Sequence, residues 1–507
     1  MVRYPGRQRS HSSRGRPIIN FHGETVPVTT NRKINIITSN SKPNFLVIMS
    51  DEHGAQFSST YGHPIIETPN MDRLADQGVT FDSNYCNSPL CIPSRASFMT
   101  GQYVSTNQIW DNTKPIPVDR LTWPYLLRSE GYDTALSGKM HLVGPDALHG
   151  FQEQLARDPH IEEPLEHFRW SNGIPQATED WKHLREASPG ISPMIEADDE
   201  MEKAAVKYLS DPARHDKPFA MCVGFIAPHF PFIVPEPYFS KYYPDKVSMP
   251  NLPDGHLDEL PPSARRLRQM FGLDGDWTDD EIARARAAYF GLCTYLDDKI
   301  GLLMDTLEEQ GLAENTVIVH TSDHGDMLGE HGLWRKMSFY EQSANVPLQI
   351  SWPGNFKKGL RIGEAVSNVD AVATILDLAG VKLDKWDLDG QSLIRALHGD
   401  TSGLNDVAIC EHFAHGTDRP MGMVRSGKWK LCYGHGNPVE IELYDLESDP
   451  YEFTNLSEAA EHTHVKDQLV KILLNQWGDP NKLTAKIMQD QEDREIVRTI
   501  TGTGVIF

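Results

Sequence analysis

The chain has 507 residues, with 48 Lys and Arg against 71 Asp and Glu, a formal net charge of −23, and an ordinary globular 39% of hydrophobic residues. So acidic a balance excludes a protein built to neutralise a nucleic-acid backbone. No apolar run approaches the roughly 18 residues that a membrane-spanning helix needs.

Residues 1–43 hold eight basic side chains and only Glu24, so the remaining body is near −30. This Arg- and Ser-rich leader has the composition of a transit peptide or a flexible extension, and it stands outside the fold. It shows no secretory apolar core, so a cytoplasmic chain is the expectation. Residues 44–50 (NFLVIMS) form a nearly continuous apolar run ending in Asp51-Glu52-His53, as expected of a strand buried on both faces. Helical and strand-like patterns then alternate: helices at 68–76, 121–130, 195–209 and 279–310, and strands at 133–137, 219–226, 316–321 and 346–351. Such alternation predicts an α/β fold with a mostly parallel sheet between helices. Residues 144–195 and 232–278 are rich in Pro, His and acidic side chains and read as long loops. After residue 399 the texture changes to short strand-like pieces at 407–410, 421–424, 428–432 and 440–444, followed by helix. We therefore expect a catalytic domain over 44–399 and a smaller C-terminal α+β subdomain over 400–507, whose helical segment at 469–500 offers a surface for a homo-oligomer. Six cysteines in so long a chain make no disulfide framework and read as reduced, buried thiols.

Three polar clusters follow predicted buried strands directly: Asp51-Glu52, His229 and Asp323-His324. In open α/β sheets the ligand crevice lies at the carboxyl ends of the strands, which brings such clusters together across hundreds of residues. Convergent carboxylates suit a hard cation, Ca²⁺ or Mg²⁺ rather than Zn²⁺. The plainer reading is that each Asp caps the next turn. The string Ser88-Pro-Leu-Cys91-Ile-Pro93-Ser-Arg95-Ala-Ser-Phe-Met99-Thr-Gly101 opens a helix at Pro93 and puts Cys91 and Arg95 on one face. A helix N-terminus beside a guanidinium is how an anionic nucleophile is held, whereas a lone Cys is more often inert.

Cys91-x-Pro93-Ser94-Arg95-x-x-x-Met99-Thr100-Gly101 resembles the signature of type I sulfatases of the alkaline phosphatase superfamily, in which the cysteine becomes formylglycine. Further stretches match in the family's order: TPNMDRLADQGVTF at 68–81, Ser137-Gly138-Lys139-x-His141, Pro228-His229-x-Pro231, Ser322-Asp323-His324-Gly325, Lys336 and Leu443-Tyr444-Asp445-Leu446. In texture the chain is most similar to choline sulfatases, but Glu52 stands where Asp or Gln is usual. The resemblance implies an alkaline-phosphatase-like sheet sandwiched by helices, with an antiparallel sheet in the C-terminal subdomain. It also implies hydrolysis of a sulfate monoester through a formylglycine gem-diol, whose second hydroxyl lets sulfate leave by elimination. It assigns a divalent cation, Ca²⁺ before Mg²⁺ or Mn²⁺, to Asp51, Glu52, Cys91, Asp323 and His324. Arg95 would hold the diol, His141 would take its proton, and Lys139, His229 and Lys336 would face the sulfate and the leaving group. Asn112 would touch the sulfate, and Glu411 would lie near a choline ammonium. A formylglycine-generating enzyme is the implied maturation partner; nucleic acid and membrane are not. A phosphonate monoester or phosphodiester hydrolase of the same superfamily, and a non-catalytic sulfate-ester binder with an unmodified Cys91, are the competing readings.

Overall fold

The computed structural model describes residues 42–162, 168–174, 182–275 and 277–501. Most of the predicted leader therefore lies outside the described residues. The main sheet has eight strands: β1 (Asn44–Asp51), β2 (Val79–Phe81), β3 (Asp133–Gly138), β4 (Glu153–Ala156), β5 (Phe219–Pro228), β6 (Thr316–Ser322), β7 (Leu348–Ser351) and β8 (Leu360–Ile362). Their spatial order is β8-β2-β7-β6-β1-β5-β3-β4, and every pairing is parallel except those of β7, which runs antiparallel to both neighbours.

The helices that position the site are α1 (Pro69–Gln77), α2 (Cys91–Thr100), α3 (Trp123–Ser129), α4 (Pro193–Leu209), α5 (Pro262–Phe271), α6 (Asp279–Glu309), α7 (Asn368–Leu378), α8 (Thr463–Trp477) and α9 (Pro480–Thr501). The continuous apolar run of β1 is explained by the two layers it separates. Leu46 and Ile48 pack into one core with Tyr289, Phe290 and Leu296 of α6, while Phe45, Val47 and Met49 enter the other with Phe98 of α2, Trp123 of α3 and Ile375 of α7. All five strand residues are wholly buried, which at about 2 kcal/mol each makes this strand a main source of stability.

Two expectations need correction. Residues 232–278 are not loop throughout, because α5 buries Ala264, Leu267, Met270 and Phe271 on one face while its arginines hide that stripe in the sequence. The other stretch, 144–195, contributes the edge strand β4. In the C-terminal part, β9 (Ala408–His412), β10 (Met421–Ser426), β11 (Trp429–Gly434) and β12 (Glu440–Asp445) form a separate antiparallel meander. Leu469, Leu473 and Trp477 of α8 and Leu483 and Ile487 of α9 are buried in the core of this region. All six cysteines are buried free thiols. Among the described residues no helix is long and apolar enough to cross a membrane.

Candidate active site

Four neighbouring parallel strands, β6, β1, β5 and β3, end on the same side of the sheet and deliver Asp323-His324, Asp51-Glu52, His229 and Lys139-x-His141 to one crevice. Backbone packing sets the Lys139 end: its amide donates to the Gly224 carbonyl at 2.8 Å. A Cβ on Gly224 would run into the Lys139 carbonyl, so only glycine in β5 lets this loop come so close.

The deepest group is Asp51, Cys91, Asp323 and His324, each offering a donor atom within 4.8 Å of the others, all buried. His324 Nδ1 lies 3.1 Å from the Gly325 carbonyl and must donate to it. Its Nε2 lone pair therefore faces Cys91 Sγ at 3.1 Å, Asp323 Oδ2 at 3.7 Å and Asp51 Oδ1 at 3.8 Å. An imidazole lone pair aimed at two carboxylates, with its other nitrogen fixed by a carbonyl, could hold a cation. Asp51 Oδ1, buried and without a hydrogen-bond partner, completes that fit.

Arg95 ties this group together: Nε donates to Asp323 Oδ2 at 2.8 Å, Nη2 to Asp51 Oδ2 at 3.2 Å and Nη1 to the Lys139 carbonyl at 2.8 Å. Three of its N–H groups thus serve the two carboxylates and the Lys139 carbonyl. Lys139 Nζ pairs with Asp51 Oδ2. Burial opposes ionisation of Asp51, yet Lys139 foremost, with His229, Arg95 and His324, holds its carboxyl well below the usual range.

A second group borders the first. Glu52, at a left-handed φ of 66°, turns its carboxylate between His229 Nε2 and Lys336 Nζ, each 3.2 Å away. Glu52 can be grouped as a ligand with Asp51 and His229 but not with Cys91, Asp323 and His324. Burial pushes the Glu52 carboxyl up to about 7, against the pull of Lys336. His229 Nδ1 is 2.6 Å from the Phe230 carbonyl, so its Nε2 accepts from Lys336 Nζ at 2.9 Å. Burial, then the Lys336 charge, drives His229 well below the ordinary histidine value. Burial works against the Lys336 charge, but Cys91, Glu52 and Asp51 raise it above the ordinary lysine value.

His141 sits at the rim with φ 55°, and both ring nitrogens are buried without a partner. Burial first and Lys139 second keep it neutral. Its strained backbone is held by Asp158, whose Oδ2 accepts from the amides of His141 at 2.7 Å and Met140 at 3.2 Å, while Oδ1 accepts from the His160 amide at 3.0 Å. The His160 ring lies between those of His141 and His229, at centroid distances of 5.5 and 5.8 Å. Sequence reasoning missed Asp158 and His160, whose only signal was a D-P-H triplet in an unpatterned stretch.

Cys91 is the first residue of α2, all ten residues of which are buried. The helix has no capping side chain of its own at Leu90; Asn112 Oδ1 takes that place by accepting the Ile92 amide at 3.0 Å. Glu411 stands apart from the cluster. Its oxygens accept from the Ser105 amide and the Trp477 indole, both at 2.7 Å, and its own amide bonds Asn87. Both carboxylate oxygens are thus engaged within the protein, where the resemblance implied a contact to an ammonium group. His331 is likewise occupied, facing His256 at 2.9 Å and stacked on Tyr340 at 3.7 Å.

A family described as Sulfatase matches residues 43–381, and one described as N-sulphoglucosamine sulphohydrolase, C-terminal, matches residues 329–478. A choline-sulfatase of Rhizobium meliloti is 37% identical over 440 residues, covering 82% of this chain and 83% of that protein. Arylsulfatase K of Mus musculus is 28% identical over 93% of this chain and 85% of its own length. Among solved structures, the phosphonate monoester hydrolase of Agrobacterium radiobacter superposes with a TM-score of 0.71 at 25% identity, covering 86% of this chain and 95% of its own. A protein solved with its substrate D-glucosamine-2-N,6-O-disulfate does so with a TM-score of 0.70 at 25% identity, covering 87% and 99%.

Proposed function

The chain belongs to the sulfatase family, as a type I sulfatase of the alkaline phosphatase superfamily and a sulfuric ester hydrolase, and from that premise we propose how its own residues divide the work. Residue 91 is the nucleophile after conversion of Cys91 to formylglycine, and Asp51, Asp323, His324 and residue 91 hold a divalent cation, Ca²⁺ first, with Glu52 at its edge. The observation that carries the reading is the His324 Nε2 lone pair facing Cys91 Sγ, Asp51 and Asp323. As a bare thiol, Cys91 is pushed by burial up to about 12, which makes it a poor nucleophile near neutral pH. When present, the cation and the hydrated aldehyde supply an acidified hydroxyl for attack on sulfur and charge neutralisation for the sulfate oxygens.

Arg95 fixes the two carboxylates relative to α2. Lys139 and Lys336 flank the crevice with fixed positive charge where an anion gains charge at its bridging oxygen. Lys336, hydrogen-bonded to His229, is placed to return a proton to the departing alcohol. His141, neutral and with unused nitrogens, is the acceptor for the proton released at residue 91.

The substrate is a small or saccharide sulfate monoester. A phosphonate monoester hydrolase remains the second reading because such an enzyme superposes as well as the sulfated-glucosamine enzyme. A panel of aryl sulfate, choline sulfate, sulfated glucosamine, phenyl phosphonate and a phosphodiester decides, with the highest kcat/KM expected on a sulfate. Greatest efficiency on a phosphorus ester would overturn the choice. The mass of the peptide bearing residue 91, from protein made beside a formylglycine-generating enzyme, is expected to show conversion. An unmodified thiol without turnover would instead support a sulfate-ester binder.

A further inference from the structure

The C-terminal helix α9 reaches back to the segment that caps the nucleophile helix. Arg494 is buried and grips Asp111 with both ends of its guanidinium, Nη1 to Oδ1 at 3.0 Å and Nη2 to Oδ2 at 2.6 Å. The same Nη1 donates to Thr113 Oγ1 at 2.6 Å, and Thr113 in turn donates to Asp111 Oδ1 at 2.7 Å. One turn earlier in α9, Asp490 accepts from Arg494 Nε at 2.9 Å and pairs with Lys114. Asp111, Thr113 and Lys114 are therefore all tied to α9, and Asn112 is the residue between them. Asn112 is not tied to α9. Its Oδ1 accepts the Ile92 amide, one residue from Cys91, and its Nδ2 makes no hydrogen bond to a described residue.

We infer that Arg494 is a positioning residue for the reaction, setting Asn112 and through it the N-terminus of α2. The inference rests on the proposed role of residue 91. Anchoring the Asp111 and Thr113 side chains on both sides of Asn112, with the Thr113 amide also donating to Asp111 Oδ1 at 2.9 Å, restricts its backbone, so its side-chain oxygen stays on the Ile92 amide and its Nδ2 hydrogens remain available to an anion in the crevice. A planar, bidentate guanidinium gives this directional hold, which a lysine ammonium cannot reproduce. Neither Arg494 nor Asp111 needs to touch the substrate.

The test is a double-mutant cycle on aryl sulfate, with every rate normalised to the fraction of residue 91 converted. Arg494→Lys is expected to lower kcat/KM about tenfold in the otherwise native enzyme and less than about twofold in an Asn112→Ala background. Asp111→Asn, which keeps the shape of the partner, is expected to repeat that pattern and stands in if Arg494→Lys does not fold. The unfolding midpoint should fall equally in both backgrounds, because the ion pair itself is lost in both. Equal losses of kcat/KM in the two backgrounds, or no loss in the native one, would overturn the inference. A native enzyme that is fully converted at residue 91 but inactive on sulfate esters would sink the proposed function first, and this inference with it.

Discussion

Two regions of this molecule bury charge, and they treat it differently. At the carboxyl ends of β6, β1, β5 and β3, Asp51 Oδ1 and both His141 nitrogens are buried without a hydrogen-bond partner, and Glu52 and Lys139 are held by ion pairs alone. Around the C-terminal meander, the Arg494 guanidinium meets Asp111 in a fork, Glu411 accepts a bond on each oxygen, and Lys430 Nζ donates to Glu341 at 2.9 Å. A buried polar group left unmatched costs about 1–3 kcal/mol, and more when charged. In the crevice a bound ligand would offset these costs. Matched burial builds a strut; unmatched burial keeps a site ready.

The contrast breaks first at Cys91 if it is wrong. Cys91→Ala should abolish turnover, a loss of at least about 10⁴-fold for a nucleophile, and should move stability by only about 1 kcal/mol because the thiol's one close polar partner is His324. Turnover assays beside thermal unfolding check both halves, and appreciable residual activity would take Cys91 out of the nucleophile role. Asp323→Ala comes next. It should lose bound metal and rate together, read by elemental analysis and kcat. Metal content unchanged from the native protein would refute the ligand set and leave the lone pair of His324 unexplained.

How much of this was legible in the sequence follows from the same division. The crevice could be read because each of its strands is an apolar run stopped abruptly by charge, as in NFLVIMS before Asp51 and TVIVHT before Ser322-Asp323. Cys91 and Arg95 came from a string that sets both on one helix face, and Lys139 from the resemblance carried by Ser137-Gly138-Lys139-x-His141. The partners that complete the arrangement were not readable. Asp158 acts through backbone amides, which leave no pattern in side-chain spacing, and Arg494 lies in QDQEDREIVR, where a buried fork looks like any solvated helix face. Asn112 was named from the resemblance as a sulfate contact, but it also caps a helix that starts 21 positions earlier, a duty no local capping rule finds. Arg95 was found, but its duty toward the carboxylates needed the distances.

Glu411 offers the smallest effect and the finest test of the division, since the resemblance put it in the substrate pocket and the structure puts it under Ser105 and Trp477. Burial pushes its carboxyl up to about 7, while the Ser105 and Trp477 bonds pull the other way. A carboxyl raised in the folded state binds its proton more tightly there than in the unfolded chain. It therefore contributes stability that is full below about pH 4.5 and is lost as the pH rises through about 7, an amount of about 3 kcal/mol. Glu411→Gln does not titrate and leaves one of the two donors without an acceptor. Urea unfolding at pH 5 and pH 8 should accordingly show the native enzyme's advantage over the variant shrinking by about 2.5 kcal/mol at the higher pH, since part of the effect is already lost at pH 5. KM for aryl sulfate and for choline sulfate should both stay within about twofold, because a strut does not meet substrate. A selective rise in KM for choline sulfate, with the stability gap constant across pH, would move Glu411 out of the matched set and into the crevice, and burial with two partners would then no longer mark a residue as structural in this fold.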